Sequence, residues 1–288
     1  MQHLLIKTTM KKRYTIICFV GLFLISACKK NAPLKTIITD PQLIAHIDSM
    51  LKAVGAGSYA NLLTGKLEGN FSFSSHYFPY EANCSTPTAP FKINTQLSGG
   101  ISLDTANRFT LINNGDLYVN NIKIIADNEN RYIVAANTIN SAALDKLYGT
   151  TSTIKIIKDG TTVLATEMYI PKNIVMKGID CLTASFANNP LKSGFRINWN
   201  ADNKNNNGIV IQLFGKDINT IERYSYLLVA DNGYYIFNDN DLNQYPKEKN
   251  PLGIEVTLMR GNFSILKGVD NRKYNFNSMT TCSYLFKQ

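Results

Sequence analysis

Histidine is scarce in this chain. Only His3, His46 and His76 occur in 288 residues, and none stands at the paired spacing that a zinc site requires. Nucleophile motifs are missing too. There is no Gly-x-Ser-x-Gly elbow, no Ser-x-x-Lys with its companion motifs, and no P-loop or dinucleotide fingerprint. Paired carboxylates of the glycoside-hydrolase kind stay open, because such pairs lie far apart in sequence. Tryptophan occurs once, as Trp199. Long apolar runs are lacking: a bilayer-spanning helix takes roughly 20 residues, and Tyr14 to Ile25 offers about a dozen.

That short run is nevertheless informative, because of what flanks it. Lys11-Lys12-Arg13 supplies a positive cluster before it, Ser26-Ala27 supplies small residues after it, and Cys28 follows. This is the order of a secretory signal. Leu24-Ile25-Ser26-Ala27-Cys28 resembles the lipobox of bacterial lipoproteins. The resemblance implies cleavage before Cys28, a diacylglycerol on its thiol and an acylated amine. Several acyl chains give the two or more signals that stable anchoring takes. No Asp follows Cys28, which, by resemblance to enterobacterial lipoproteins, argues against retention in the inner membrane. The implied address is the cell envelope, lipid-anchored at the outer membrane.

Processing changes the charge argument. The whole chain has 30 basic and 21 acidic residues; Lys7, Lys11, Lys12 and Arg13 precede Cys28 and no acid does, so 26 basic and 21 acidic residues remain, a net +5. That is an ordinary solubility balance, and no nucleic-acid partner is expected. Of five cysteines, Cys18 leaves with the signal and Cys28 is taken by lipid. Cys84, Cys181 and Cys282 remain in an oxidising compartment. Cys181 with Cys282 is the candidate disulfide; closing a loop of about 100 residues is worth about 4.7 kcal/mol in the chain-entropy model. Cys84 is the alternative partner.

The organisation predicted is a signal over 1–27, a lipidated tether over 28–38, a helix plus β-rich domain over 39–171, and a second β-rich domain over 172–288. The helix opens at Asp40-Pro41, carries Leu43, Ile44, Ile47, Leu51 and Val54 on one stripe, and stops at Gly55. A β pattern then sets in. Phe91–Leu103 reads as a hairpin turning at Gly99-Gly100, and Leu117–Ala126 as one strand. Ser141–Tyr148 reads as a short helix capped by Ser141. Thr153–Lys158 and Thr162–Ile170 form a hairpin around Asp159-Gly160. In the second half, Phe195, Ile197 and Trp199 alternate with Arg196 and Asn198. Ile254–Met259, Phe263–Leu266 and Thr280–Phe286 read as three short strands. Many short strands with turn signals predict a mainly β protein of sandwich type.

Phe195–Gly208 followed by Ile209-Val210-Ile211 resembles the immunoglobulin- or fibronectin-like domains of Gram-negative envelope lipoproteins, which implies an immunoglobulin-like β-sandwich over 172–288. Asp48-Ser49-Met50 and Asp104-Thr105-Ala106 resemble a short envelope O-glycosylation motif. Two oxygen-rich stretches, Asp202–Gly208 and Asn238–Asp241, are short of the carboxylates that calcium needs. No metal or other cofactor is expected.

Sugar-binding faces use exposed aromatic rings, and Tyr is frequent, at 15. Tyr224 and Tyr226 share one face of a strand, and Tyr234 and Tyr235 lie on opposite faces of another. These four are the candidate ligand-binding residues, against the alternative that they are ordinary half-buried strand tyrosines. Together these features predict a non-catalytic binding or scaffolding protein of the envelope, with carbohydrate binding as its concrete form, as in tandem-sandwich lipoproteins of glycan uptake. One alternative is a protein-interaction or structural envelope component. Another is a periplasmic hydrolase without a recognisable motif.

Overall fold

The computed structural model describes residues 41–56, 67–77, 93–103, 110–135, 138–177, 191–216, 222–245 and 253–286. Over these residues the fold is mainly β, with three sheets. The largest has seven strands: β1 (Gly69–Tyr77), β2 (Ile93–Ile101), β5 (Arg131–Val134), β10 (Ile209–Lys216), β11 (Glu222–Val229), β13 (Ile254–Lys267) and β14 (Lys273–Phe286). Their order is β11-β10-β13-β14-β1-β2-β5. β3 (Asp116–Val119), β4 (Ile122–Ile124), β6 (Thr150–Lys158) and β7 (Thr161–Ile170) form a second sheet. β8 (Met176–Lys177), β9 (Arg196–Trp199) and β12 (Tyr234–Ile236) form the third. Three short helices complete the described residues: α1 (Pro41–Ala53), α2 (Ile139–Asp145) and α3 (Asp239–Leu242).

The two small sheets cover one face of the large one. Phe71, Phe73, Leu97, Tyr274 and Phe276 of the large sheet pack against Leu117, Ile154, Val163 and Met168 of the four-stranded sheet. Ile211, Leu213, Val256, Leu258, Cys282 and Phe286 pack against Met176, Ile197 and Trp199 of the three-stranded sheet. Strands from both sides of the boundary expected near residue 172 thus share one sheet, with β14 parallel to β1 across it. The segment joining the two small sheets, residues 171–175, crosses the large sheet between the two cores.

That crossing explains a polar row. Arg260 lies opposite Thr280, Thr280 opposite Ser75, and Ser75 opposite Thr95. All four are 1% exposed or less. An extended segment with no strand partner needs other groups for its backbone N–H and C=O. The row supplies them: Arg260 Nη1 donates to Lys172 O at 2.9 Å and Ile174 N donates to Thr280 Oγ1 at 3.1 Å; two residues along β14, Cys282 Sγ accepts from Met176 N at 3.4 Å where β8 begins. At the far end Thr95 Oγ1 donates to Asp145.

Several expected boundaries move. Gly99 and Gly100 make no turn; they sit inside the continuous strand β2. A Cβ on Gly99 would meet the Phe71 ring, and its absence lets Phe71 reach Tyr132 across it, edge-on at 5.4 Å, while stacking on Phe276 at 5.0 Å. Residues 117–126 are not one strand, because Asn120 takes φ 51° and turns the chain between β3 and β4. Thr138, not Ser141, caps α2, its side chain accepting from Ser141 N; the Ser141 hydroxyl points inward to Thr95 O at 2.7 Å. The strands expected at 254–259 and 263–266 are one strand, and β14 begins at Lys273 rather than Thr280; each runs for 14 residues. Their polar residues serve the crossing segment instead of ending the strands. The hairpin at Asp159-Gly160 forms as expected, with φ 50° and 76°.

α1 docks on the opposite face. Met50, Ala53 and Val54 pack on Val210, Tyr226, Leu228, Met259 and Met279. Gly55, at φ 73°, ends the helix, and the backbone of Val54–Gly55 rests directly on Gly261. No helix among the described residues is long and apolar enough to cross a membrane. Residues 1–40, which include the lipobox and Cys28, lie outside the described residues, as do Cys84, Cys181 and Asp104-Thr105-Ala106.

Candidate functional site

The three-stranded sheet has a buried and an open side. Met176, Ile197, Trp199 and the packed ring of Tyr235 face the core. Lys177, Arg196, Asn198, Tyr234 and Ile236 alternate to the other side, as the period of two requires. Register places Lys177 opposite Asn198 and Asn198 opposite Tyr234, one row across all three strands. Arg196 and Ile236 form the next row. Side chains directly opposite stand about 5 Å apart at Cβ.

This row borders an open depression of about 530 Å³, whose lining includes Lys177, Arg196, Asn198, Asn232, Gly233 and Tyr234. Tyr234 remains 41% exposed and Ile236 50%. The Arg196 guanidinium lies 4.3 Å from the Tyr234 ring centre, a cation–π distance. Its Nε donates to Asn198 Oδ1 at 2.9 Å, which fixes the plane of the guanidinium.

A buried polar cluster holds the wall of the depression. Asp231, on the turn that carries Asn232 and Gly233, accepts from Arg260 Nη2 at 2.7 Å, with both side chains shielded from solvent. It also accepts from Trp199 Nε1 at 2.9 Å and from Asn205 Nδ2 at 2.9 Å. Arg260 Nη2 reaches Asn200 O as well, at 2.7 Å, while its Nε–H has no partner among the described residues. A buried ion pair persists when hydrogen bonds satisfy its remaining atoms, and here four segments converge to do so. Beside it, the buried Asp202 accepts from the Tyr169 hydroxyl at 2.8 and 2.9 Å and from Lys172 N at 2.8 Å. Burial, then the bond to Asp202, pushes the Tyr169 phenol well above its usual range.

The four candidate tyrosines do not form one face. Tyr234 stands in the depression. Tyr235 turns inward, where its hydroxyl donates to Asp241 at 2.9 Å; burial, then this bond, raises its phenol to about 12. Tyr224 and Tyr226 are on β11 of the large sheet. Tyr224 stacks on Phe214 at 4.8 Å and donates to Glu222, and Tyr226 packs beside α1. Of the candidate disulfide, Cys282 is a buried free thiol that burial raises to about 12, and Cys181 lies outside the described residues.

Both oxygen-rich stretches have structural uses. Asp202 and Asn205 are spent on the cluster just described. Asn238 and Asp241 form a capping box on α3, the Asn-x-x-acid signature of a helix start. Among the described residues, no group of three or more His, Cys, Asp or Glu is placed to hold a metal ion. Ser49 is on α1, its hydroxyl donating to Ala45 O at 2.8 Å.

Lys177, Arg196 and Asn198 were not among the sequence candidates. The alternation around Trp199 places Arg196 and Asn198 on the outer face, but a polar outer face is what any half-buried strand shows. Comparison with known proteins gives no relative to lean on: no family model, curated protein or solved structure matches the chain.

Proposed function

We propose that this is a lipid-anchored protein of the bacterial envelope that binds carbohydrate without catalysis, through the outer face of β8, β9 and β12. The observation that carries this reading is Tyr234: a ring with substantial exposure, in an open depression, beside the side-chain amide of Asn198 and two cationic side chains. Sugar rings offer C–H faces that stack on aromatic rings and hydroxyls that pair with amides and cations. The buried Arg260–Asp231 pair fixes the turn that forms the wall, which keeps the geometry pre-organised. The lipobox resemblance supports the anchor at Cys28 and an outer-membrane address. Packing of the three-stranded sheet over half of the large one around Trp199 supports a sandwich, immunoglobulin-like in style, over 172–288.

The test is a glycan array probed with the full chain purified in detergent, beside its Tyr234→Ala variant. Tyr234 is on an open face, so the variant keeps the fold. Binding that the variant loses supports the reading. Binding that survives in the variant, or no binding to any glycan, counts against it and turns the search to envelope protein partners.

A further inference from the structure

The charge of the depression goes further than the carbohydrate reading on which it rests. Among the described residues that line it are two cations, Lys177 and Arg196, and no acid. Arg196 gives its Nε–H to Asn198 and its face to Tyr234, and neither it nor Lys177 is in an ion pair among the described residues. The carboxylate on the turn that forms the wall, Asp231, is neutralised inside by Arg260. Lys177 and Arg196 reach the depression from adjacent strands, with Asn198 between them on the same face. A guanidinium held in plane, with its terminal N–H groups left over, suits a carboxylate or sulfate.

We infer that the ligand is an anionic saccharide, whose carboxylate or sulfate sits between Lys177 and Arg196 while an adjoining sugar ring rests on Tyr234. Arg196 serves both parts, since the same guanidinium that stacks on the ring presents its remaining donors to the anion. Lys177 adds a point charge without directional demand. An open site of this kind is exposed to salt, so binding weakens as ionic strength rises.

The experiment is calorimetric titration of the full chain in detergent with matched pairs of probes. One pair is a galacturonate oligomer and its methyl ester; the other is a sulfated galactan oligomer and its desulfated form. The inference expects at least one charged member to bind about tenfold or more tighter than its neutral partner. It also expects Arg196→Gln and Lys177→Gln, both open-face changes that leave the fold intact, each to remove most of that difference. Equal binding of charged and neutral members, lost in Tyr234→Ala, overturns the anionic inference and leaves the carbohydrate reading standing. Binding of none of the four probes overturns the inference. A neutral glycan found on the array would still uphold the broader reading in that case, so the two failures are told apart.

Discussion

Arg260 and Asp231 meet at 2.7 Å in the interior, the guanidinium fully buried and the carboxylate 1% exposed. The pair joins the middle of β13 to the turn that walls the depression. Removing one partner of such a pair strands a buried charge and costs about 3–5 kcal/mol. Asp231→Ala and Arg260→Met should each lower the free energy of unfolding by that order. The double variant should cost clearly less than the sum of the two, because the charges leave together. Additive losses in a double-mutant cycle by urea unfolding would show that the pair carries no coupling.

Gly261→Ala tests how α1 is seated. A Cβ there runs into the Val54–Gly55 backbone, and backbone cannot swing aside as a side chain does. Overpacking of this kind costs about 1–3 kcal/mol. The helix should lift before the sheets melt, so limited proteolysis should cut within 41–56 in the variant and not in the parent. Equal resistance of both proteins would contradict the contact.

Much of the architecture was legible where pattern and packing agree. The Asp159-Gly160 hairpin and the Phe195-Ile197-Trp199 alternation are both read correctly, because in each a local signal is also the global solution. The misses share one cause. Gly99-Gly100 looks like a turn but serves close ring packing, and Arg260-Gly261-Asn262 looks like a strand break but feeds a crossing segment and seats a helix. Both meanings come from partners on another strand or far along the chain, and local pattern does not carry them. The site divides the same way. Tyr234 could be named because an aromatic pair on a strand stands out, whereas Lys177 becomes relevant only once β8 pairs with β9.

His76 gives a pH dependence. Burial holds its imidazole below the ordinary 6.5, so the folded state resists the proton that the unfolded chain accepts. Above about pH 6.5 the two states agree. As pH falls through 6.5 towards the depressed folded value, the unfolded chain binds more protons and stability is lost. Melting temperature should therefore fall between about pH 7 and about pH 5, and less steeply in His76→Gln. Identical slopes in the two proteins would remove His76 from the account.

Cys28 carries the membrane claim. Cys28→Ala should abolish incorporation of labelled palmitate and shift the protein from the membrane fraction to the soluble envelope fraction. Retention of label or of membrane association in the variant would show that the anchor lies elsewhere.

The carbohydrate claim has a reporter already in place. Trp199 is the only tryptophan; its ring is buried on the core side of β9, and its indole N–H donates to Asp231, on the turn that walls the depression. Titrating the full chain with the galacturonate and sulfated galactan oligomers while following tryptophan emission is the most direct measurement. A saturable change in the parent, absent in Tyr234→Ala and weakened in Arg196→Gln, is the predicted result. A flat response in the parent, with calorimetry also silent, would contradict a saccharide site on this face.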